Sequence, residues 1–363
     1  MQIILDNTSS QPLHSQLEDA IRSAILEGRI KPGDRLPPIR KLCETTGLAY
    51  QTVSKATRSL VKEGVLVART GAGTRVAELN TRPASGVLGI ISTLPLTEVS
   101  RISPYFAAAL LGIQDETIKS GRISAYDLWS NDRPLWTVFD NLSRVDGLII
   151  LNSLDLNSAE VENIAQAGKP IVLLGGAIEP EGVPTIRSDN YGDSRRAVER
   201  LLELGHRDIL YVGGQHQNTR ASLDRFRGYR DTISAAGHAL RPEMAVWLEG
   251  APLAQHFLSL SRQPTAMFIA GGIYRIGEAL AVMQDGGVTV GRDVTLCGWD
   301  AANAPALHSL PCIRIVQPID DLGHLAVKTL LAVIDGQSID PQSLILHATI
   351  EEHDDPSSPS HSA

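Results

Sequence analysis

A short polar and basic face within residues 50–62 is the part of the chain best suited to recognising another molecule. Gln51, Lys55 and Arg58 are spaced four and three residues apart, so they share one side of a helix. A glutamine amide can form two hydrogen bonds with the edge of an adenine, and lysine and arginine neutralise phosphates. A helix with this face is suited to the major groove of DNA.

The candidate DNA contacts come from this helix, from the helix before it and from a hairpin after it. They are Arg40, Tyr50, Gln51, Thr52, Ser54, Lys55, Arg58, Arg69, Gly71, Gly73 and Thr74. We expect Gln51 to read a base, and Thr52 and Ser54 to donate to bases or phosphates. The basic side chains would fix the register on the phosphate backbone. Ser54 is expected on the outer face of the helix, together with Gln51, Lys55 and their neighbours.

The apolar pattern around these residues predicts three helices followed by a two-stranded wing. Apolar residues recur at helical spacing over 13–26, and Val53, Ala56 and Leu60 form the inward stripe of the helix over 50–62. The remaining elements are a short helix between Pro38 and Gly47, strands at 65–68 and 74–77, and a tight turn at 70–73. This arrangement predicts a winged helix-turn-helix within a head that spans 1–78.

The charge of the chain is divided between its two parts. Residues 1–80 contain 11 Lys and Arg against 8 Asp and Glu, a balance of +3, whereas the whole chain carries −8. A basic head on an acidic body fits a DNA-binding module whose larger partner domain should not adhere to DNA. The excess is small, so we expect a homodimer that places two heads on one double-stranded DNA operator.

A different pattern follows a linker at 79–86. Short apolar runs alternate with amphipathic segments over 87–353, which predicts an α/β body of parallel sheets in two lobes. The predicted strands cover 87–91, 124–129, 147–151, 170–174, 209–212, 244–248, 266–270 and 294–297. The predicted helices cover 105–119, 135–142, 159–167, 194–204, 222–236, 253–261 and 273–284. Residues 354–363 are rich in Ser, Pro and His and are expected to be a disordered tail.

Enzymatic and membrane functions find little support in the sequence. It lacks a nucleophile elbow and a phosphate-binding glycine frame, and its three cysteines have no metal-ligand spacing. We therefore expect no catalytic residues, no metal and no cofactor. No signal peptide and no apolar run of about 20 residues is visible, so a cytoplasmic protein without a membrane partner is expected.

The head resembles the DNA-binding domain of the GntR family. The resemblance is carried by Pro12-Leu13, Gly28-Arg29-Ile30-Lys31-Pro32-Gly33-Asp34-Arg35-Leu36-Pro37, Arg40-Lys41-Leu42, Thr52-Val53, Leu60, Glu63-Gly64 and Gly71-Ala72-Gly73-Thr74. It implies DNA binding through the third helix and through Arg40. Two positions differ from the family, because Tyr50 and Ser54 stand where arginines are usual. The resemblance therefore implies an operator unlike the commonest one.

The body resembles the effector domain of the LacI/GalR family, which is related to periplasmic sugar-binding proteins. The blocks that carry it are Val145-Asp146-Gly147-Leu148-Ile149, Lys169-Pro170-Ile171-Val172-Leu173, Ser188-Asp189-Asn190-Tyr191-Gly192, Leu204-Gly205-His206-Arg207-Asp208-Ile209, Arg225-Phe226-Arg227-Gly228-Tyr229, Pro264-Thr265-Ala266-Met267-Phe268, Asp293-Val294-Thr295-Leu296-Cys297-Gly298-Trp299-Asp300 and Val316-Gln317-Pro318. The resemblance implies one lobe from 87–187 and 301–318, and another from 188–300 and 319–353. The same combination of head and body occurs in arabinose-responsive repressors.

The resemblance places a small-molecule effector, a sugar or sugar derivative, in the cleft between the lobes. It implies that Arg225 contacts this ligand, because its planar fork suits vicinal hydroxyls or a carboxylate. The other candidates follow predicted strands and are Asp300, Asp132, Tyr105, Trp129 and Gly272. Gly271-Gly272 replaces the family's Asn-Asp, and Ala251-Pro252 replaces an aromatic residue that often stacks on the sugar.

These observations predict a sequence-specific DNA-binding regulator, most simply a repressor, that responds to an effector. Two alternatives stay open at this point. A solute-binding protein would explain the body but not the head. A regulator with a degenerate cleft that senses nothing would explain the two departures at 251–252 and 271–272.

Overall fold

The head is built from three helices and one hairpin, as the sequence predicts. The computed structural model describes residues 11–26, 29–31, 33–63, 65–69, 73–76, 85–92, 104–128, 145–151, 158–166, 168–176, 178–214, 219–247, 250–271, 273–301, 312–340 and 343–353. The elements of the head are α1 (Leu13–Leu26), α2 (Ile39–Thr46), α3 (Tyr50–Glu63), β1 (Leu66–Arg69) and β2 (Gly73–Val76). The two strands pair in antiparallel fashion.

The apolar stripes of these elements meet in one small core. Its members are Leu17, Ile21, Leu36, Leu42, Val53, Ala56, Leu60, Leu66 and Val76. Gly47 ends α2 with a φ of 72°, a left-handed conformation that glycine adopts without a steric penalty. The turn that follows leads directly into α3, so the exposed face of α3 is fixed by the core on its other side.

The first lobe of the body is a six-stranded sheet in which every neighbouring pair is parallel. Its strands are β3 (Val87–Ser92), β4 (Ile123–Leu128), β5 (Gly147–Leu151), β6 (Ile171–Leu174), β7 (Thr185–Ser188) and β13 (Ser343–Leu346), in the order β13-β7-β6-β5-β3-β4. The helices of this lobe are α4 (Pro104–Lys119), α5 (Ser158–Gln166) and α10 (Ile319–Ile334). Apolar residues of α4 and α10 join the core of this sheet.

The second lobe repeats this design with one antiparallel edge strand. Its strands are β8 (Ile209–Val212), β9 (Ala245–Val246), β10 (Ala266–Ile269), β11 (Thr295–Ala301), β12 (Cys312–Gln317) and β14 (Thr349–His353), in the order β14-β12-β11-β10-β8-β9. Only β14 runs antiparallel to its neighbour within this sheet. The helices are α6 (Asn190–Glu203), α7 (Arg220–Ala235), α8 (Gly250–Ser259) and α9 (Ile273–Asp285). The α/β fold with two lobes of mainly parallel sheet is confirmed.

The division of the carboxyl-terminal third between the lobes differs from the prediction. Strand β12, in the segment 301–318, pairs with β11 of the second lobe, whereas β13 pairs with β7 of the first. Helix α10 packs into the core of the first lobe. The sequence predicts that 301–318 belongs to the first lobe and 319–353 to the second. Both assignments are wrong, except that β14 does lie in the second lobe. The pattern of apolar residues does not reveal which sheet a strand joins, and the chain in fact crosses between the lobes three times.

Most other predicted elements agree with the structure to within a few residues. The helix predicted at 194–204 begins four residues earlier, at Asn190, because Asp189 caps it by accepting a hydrogen bond from the Gly192 N–H. The linker at 79–86 lies largely outside the described residues, as do the helix predicted at 135–142 and the tail at 354–363. None of the described helices is long and apolar enough to cross a membrane.

Close contact between α4 and α10 depends on two glycines. A Cβ atom at Gly112 would lie 2.1 Å from the backbone oxygen of Asp320, and one at Gly323 would lie 2.5 Å from the backbone oxygen of Ala109. Real Cβ atoms do not approach backbone this closely, so neither position can hold a side chain unless the helices move apart.

Two glycine-to-alanine substitutions should have opposite effects on the free energy of unfolding, one within this contact and one outside it. Gly112→Ala should lower the free energy of unfolding by about 1–3 kcal/mol, because the two helices must separate. Gly277 is exposed on helix α9, and a Cβ atom there would meet nothing within 4 Å. Gly277→Ala should therefore stabilise the chain by about 0.5–1 kcal/mol through the higher helix propensity of alanine. Thermal and urea unfolding midpoints measure both effects. Equal midpoints for the two variants would contradict the described packing.

Candidate functional site

The exposed face of α3 presents the polar side chains that the sequence predicts for DNA contact. Gln51, Lys55 and Arg58 are exposed, and Tyr50 at the start of the helix is 58% exposed. Among the residues that the structure describes, no carboxylate pairs with Lys55. Its ammonium is therefore available to a phosphate without first breaking an ion pair.

Ser54 does not lie where the sequence analysis expects it. Its side chain is only 5% exposed, and its hydroxyl oxygen accepts hydrogen bonds from Nε and Nη2 of Arg58, at 3.2 and 2.8 Å. The expectation of an outward-facing Ser54 is therefore wrong. Position 54 lies one residue after the core residue Val53, close enough to the apolar stripe to be covered. Its physical role in this structure is to orient Arg58.

The other predicted DNA contacts lie around this helix. Arg40 is exposed on α2, and Thr52 is half-buried on α3. In the wing, the Thr74 carbonyl accepts a hydrogen bond from the Leu36 N–H, which ties the hairpin to the segment before α2. The backbone of Gly73 has a φ of 81°. Gly71 and the side chain of Arg69 lie outside the described residues.

The second candidate site is the cleft between the lobes, and the segments that join the lobes define its hinge. The chain crosses at Ser188–Asn190, between Gln317 and Ile319, and between Leu346 and Thr349. The Ser188 hydroxyl donates to the side-chain oxygen of Gln317 at 3.0 Å, and the Asp189 N–H donates to the Leu346 carbonyl at 3.0 Å. These bonds join all three crossings into one hinge.

Asp193 lies at the centre of this hinge and is fully buried. Its carboxylate accepts hydrogen bonds from Arg196 at 2.6 Å and from the Ala348 N–H at 2.9 Å. Burial raises the pKa of the Asp193 carboxyl, and these two partners oppose the shift. His347 lies 3.2 Å from Asp189 and 3.7 Å from Asp193, measured between Nδ1 and the carboxylate oxygens. Asp189, Asp193 and His347 could together face a cation, but Arg196 already neutralises Asp193.

Arg225 lies on α7 of the second lobe and is held by neutral groups. Its Nε donates to the side-chain oxygen of Asn190 at 2.8 Å, and one terminal nitrogen donates to the Ala270 carbonyl at 2.6 Å. The guanidinium carbon lies 3.9 Å from the ring centroid of Trp299, a cation–π contact. Burial lowers the pKa of Arg225 to about 10, so the side chain stays charged at neutral pH.

Tyr105 of the first lobe lies near Arg225. Tyr105 lies in the first turn of α4, and burial raises its pKa to about 12, while the positive charge of Arg225 lowers it. Its ring packs edge-on against Phe106 at 5.6 Å. Arg225 and Tyr105 thus lie on opposite lobes, close enough to influence each other electrostatically.

The carboxyl ends of two strands in the second lobe are followed by glycines, which have no side chain. Gly213 follows β8, and a Cβ atom there would lie 2.2 Å from the Trp247 ring. A Cβ atom at Gly214 would lie 3.2 Å from the backbone of Gly271, which comes shortly after β10. The backbone at the carboxyl ends of β8 and β10 is therefore closely packed, and it lies beside Arg225.

The remaining predicted ligand contacts are only partly placed. Asp300 lies on β11, in the same lobe as Arg225, so a ligand held by these two residues alone would not bridge the cleft. Its side chain, together with Asp132, Trp129 and Gly272, lies outside the described residues. Asn190 and Trp299 are not among the ligand-site residues that the sequence predicts. Both stand within the blocks that carry the family resemblance, which is the signal that could have found them.

Comparison with known proteins supports both parts of the chain. Residues 13–76 match bacterial regulatory proteins of the gntR family, and residues 198–352 match a periplasmic binding protein-like domain. The chain therefore joins a GntR-type helix-turn-helix to a periplasmic-binding-protein-like body.

Individual curated proteins and solved structures are similar to much of the chain. The ribose operon repressor of Haemophilus influenzae is 26% identical over 288 residues, which cover 76% of this chain and 85% of that protein. Catabolite control protein A of Priestia megaterium is 24% identical over 318 residues, which cover 83% and 95% of the two chains. The solved complex of the transcriptional regulator CelR with cellobiose has a TM-score of 0.62 and 21% identity, and covers 91% of this chain and 93% of its own. That similarity shows a shared fold.

The hinge geometry predicts that Asp193 stabilises the body more than an exposed carboxylate does. Asp193→Ala should lower the free energy of unfolding by about 1–3 kcal/mol, because it leaves the buried Ala348 N–H without its acceptor. The matched control is Asp231→Ala, since Asp231 is 40% exposed and pairs at the surface with Arg230. The control should change stability by less than about 0.5 kcal/mol. Similar urea midpoints for both variants would contradict the role of Asp193.

Proposed function

We propose that this chain is a transcriptional regulator whose head binds specific DNA and whose body binds a small molecule that controls the head. The observation that carries this proposal is the exposed polar face of α3, supported from behind by an apolar core and flanked by a wing. An α-helix of this kind fits the major groove, where each base pair presents a distinct set of donors and acceptors.

The side chains around α3 support separate roles in base reading and in phosphate contact. Gln51 carries the amide that can form two hydrogen bonds with adenine, whereas Lys55 and Arg40 are exposed cations suited to phosphates. Ser54 restricts Arg58 to a defined direction, which reduces the entropy lost when Arg58 meets DNA. The body is acidic, so the chain should contact DNA through its head, in the cytoplasm.

The relatives guide the choice of effector class. One relative is named a ribose operon repressor, and one solved neighbour holds cellobiose. For this chain we propose a sugar or sugar derivative bound in the cleft near Arg225 and Tyr105, and repression that the effector relieves. Responsiveness to arabinose stays a prediction of the family resemblance.

An exposed apolar face on the first lobe supports a homodimer. Leu111 and Ile118 are 64% and 63% exposed, and their spacing of seven residues places them on one side of α4. Ile123, at the start of edge strand β4, is 67% exposed. A second copy that covers this face would bring two heads together and double the number of phosphate contacts.

Selection of duplexes from a random pool tests the proposed DNA binding. The full chain should enrich an inverted repeat, and the logarithm of its affinity should fall linearly with the logarithm of salt concentration. Retention of no sequence at low salt would contradict the proposal. Enrichment of a single unrepeated site would leave DNA binding intact but contradict the dimer.

Two substitutions on α3 should separate base reading from phosphate contact. Gln51→Ala should lower affinity for the selected duplex by about 1–3 kcal/mol and relax the preference at one base pair. Lys55→Ala should weaken all sequences alike and reduce the salt slope by about one for each head. Affinities measured by fluorescence anisotropy on the selected duplex and its single-base variants distinguish these patterns. A uniform loss for Gln51→Ala would show that Gln51 does not read a base.

The apolar face of α4 predicts the effect of a charge on assembly. Leu111→Asp should shift the protein from dimer to monomer, because the aspartate would lose its hydration at the interface. Leu258→Asp is the control, since Leu258 is 56% exposed on α8 of the other lobe. Analytical ultracentrifugation at micromolar concentration measures both. If Leu258→Asp but not Leu111→Asp dissociates the protein, the dimer forms through a different face.

A further inference from the structure

Arg225 differs from the other arginines of its helix in forming no ion pair with a described carboxylate. Arg220 and Arg227 both pair with Asp224, and Arg230 pairs with Asp231. Within the part of the chain that the structure describes, no carboxylate forms an ion pair with Arg225. Its described partners are an amide oxygen, a backbone carbonyl and an indole face. Asp193 attracts Arg225 electrostatically but is already paired with Arg196, so the described groups in contact with the guanidinium are all neutral.

Two further buried groups near Arg225 lack a hydrogen-bond partner among the described residues. Trp299 is 1% exposed, and its Nε1–H, which can only donate, meets no described acceptor. The hydroxyl of fully buried Tyr211, which interacts electrostatically with Arg225, also has no described partner. Buried polar groups in native structures are nearly always satisfied, so a bound acceptor could satisfy these donors together with Arg225.

At the ends of β8 and β10, the described residues supply no acceptor from a side chain. Gly213, Gly214 and Gly271 occupy the positions after β8 and β10 where a carboxylate could stand. The close packing at Gly213 against Trp247 means that even a methyl group would not fit there. The described part of the second lobe therefore offers positive charge and donors beside the glycine backbone at the ends of β8 and β10.

We propose that the effector is an organic anion, a polyhydroxy compound with a carboxylate or phosphate, whose charged group pairs with the free edge of Arg225. This inference rests on the proposed function and narrows its effector class from sugars in general to their acidic derivatives. The anion replaces the hydration that Arg225 has lost, and planar pairing with a carboxylate gives two parallel hydrogen bonds. The uncharged remainder of the ligand extends toward Tyr105 of the first lobe, which couples binding to closure of the cleft.

The loss of hydration at Arg225 agrees with this charge preference. Burial lowers the pKa of Arg225 to about 10, which means that the surroundings of the free protein disfavour its charged form. A bound anion favours the charged form instead. Part of the ligand's affinity therefore comes from offsetting the desolvation penalty that the charged guanidinium has in the free protein. A neutral sugar can accept hydrogen bonds from the guanidinium but cannot offset its charge.

Matched pairs of acidic and neutral ligands test this inference. Glucose is compared with glucuronate and glucose 6-phosphate, galactose with galacturonate, and arabinose with arabinonate. Acetate and inorganic phosphate serve as minimal anions, and the ionic strength is kept constant. Thermal unfolding and tryptophan fluorescence are recorded for the wild type, Arg225→Gln, Arg225→Lys and Arg230→Gln. Arg230 is 47% exposed on the same helix and serves as the control arginine.

We expect at least one acidic probe to raise the unfolding temperature and to bind about 10-fold or more tightly than its neutral partner. Carboxylate and phosphate probes compared on one sugar identify the charged group. Arg225→Gln should lose the acid preference, Arg225→Lys should retain part of it, and Arg230→Gln should behave as the wild type. The partial rescue by lysine separates loss of charge from misfolding.

Three results would overturn the inference. Neutral sugars could bind as tightly as their acids, the acid preference could persist in Arg225→Gln, or no anion, including acetate and phosphate, could protect the wild type more than Arg225→Gln. DNA selection on the same wild-type preparation separates this failure from failure of the proposed function. A chain that selects an operator but prefers neutral sugars remains a regulator, whereas a chain that retains no DNA is not one, whatever it binds in the cleft.

Discussion

The body of this protein depends on the hydrogen bonds that join its three lobe crossings, and the buried carboxylate of Asp193 adds a bond to the third crossing. Two parallel sheets connected by a single segment could rotate freely about that segment. Three segments that share hydrogen bonds can move only together, so the lobes open and close along a restricted path. Ordered closure of this kind allows a small ligand to change the relative position of elements far from the cleft.

Asn190 links this hinge to the cleft. It begins α6 directly after the first crossing, donates to the Ser188 carbonyl at 3.4 Å and accepts a hydrogen bond from Arg225. A ligand that displaces Arg225 would therefore act on the hinge through the Asn190 side chain. Because the guanidinium also stacks on Trp299 of β11, its position is restrained in the protein itself, which would lower the entropic cost of the proposed ligand contact.

The sequence predicts the fold far better than it predicts the site. Strands such as 147–151 and 209–212 are buried on both faces, so their continuous apolar runs define them almost to the residue. The lobe membership of β12 and α10 depends on contacts distant in sequence, which local periodicity does not contain. Ser54 was misplaced because its position borders the apolar stripe, and the role of Asn190 arises only where a crossing meets α7.

The central claim is that the cleft and the head are energetically coupled, and reciprocal titration tests it most directly. The affinity of the full chain for its selected duplex is measured with and without saturating effector, and the affinity for effector is measured with and without saturating duplex. The account predicts that effector weakens DNA binding, and that duplex weakens effector binding by the same factor, about 5-fold or more. Affinities that are independent of the other ligand would contradict it.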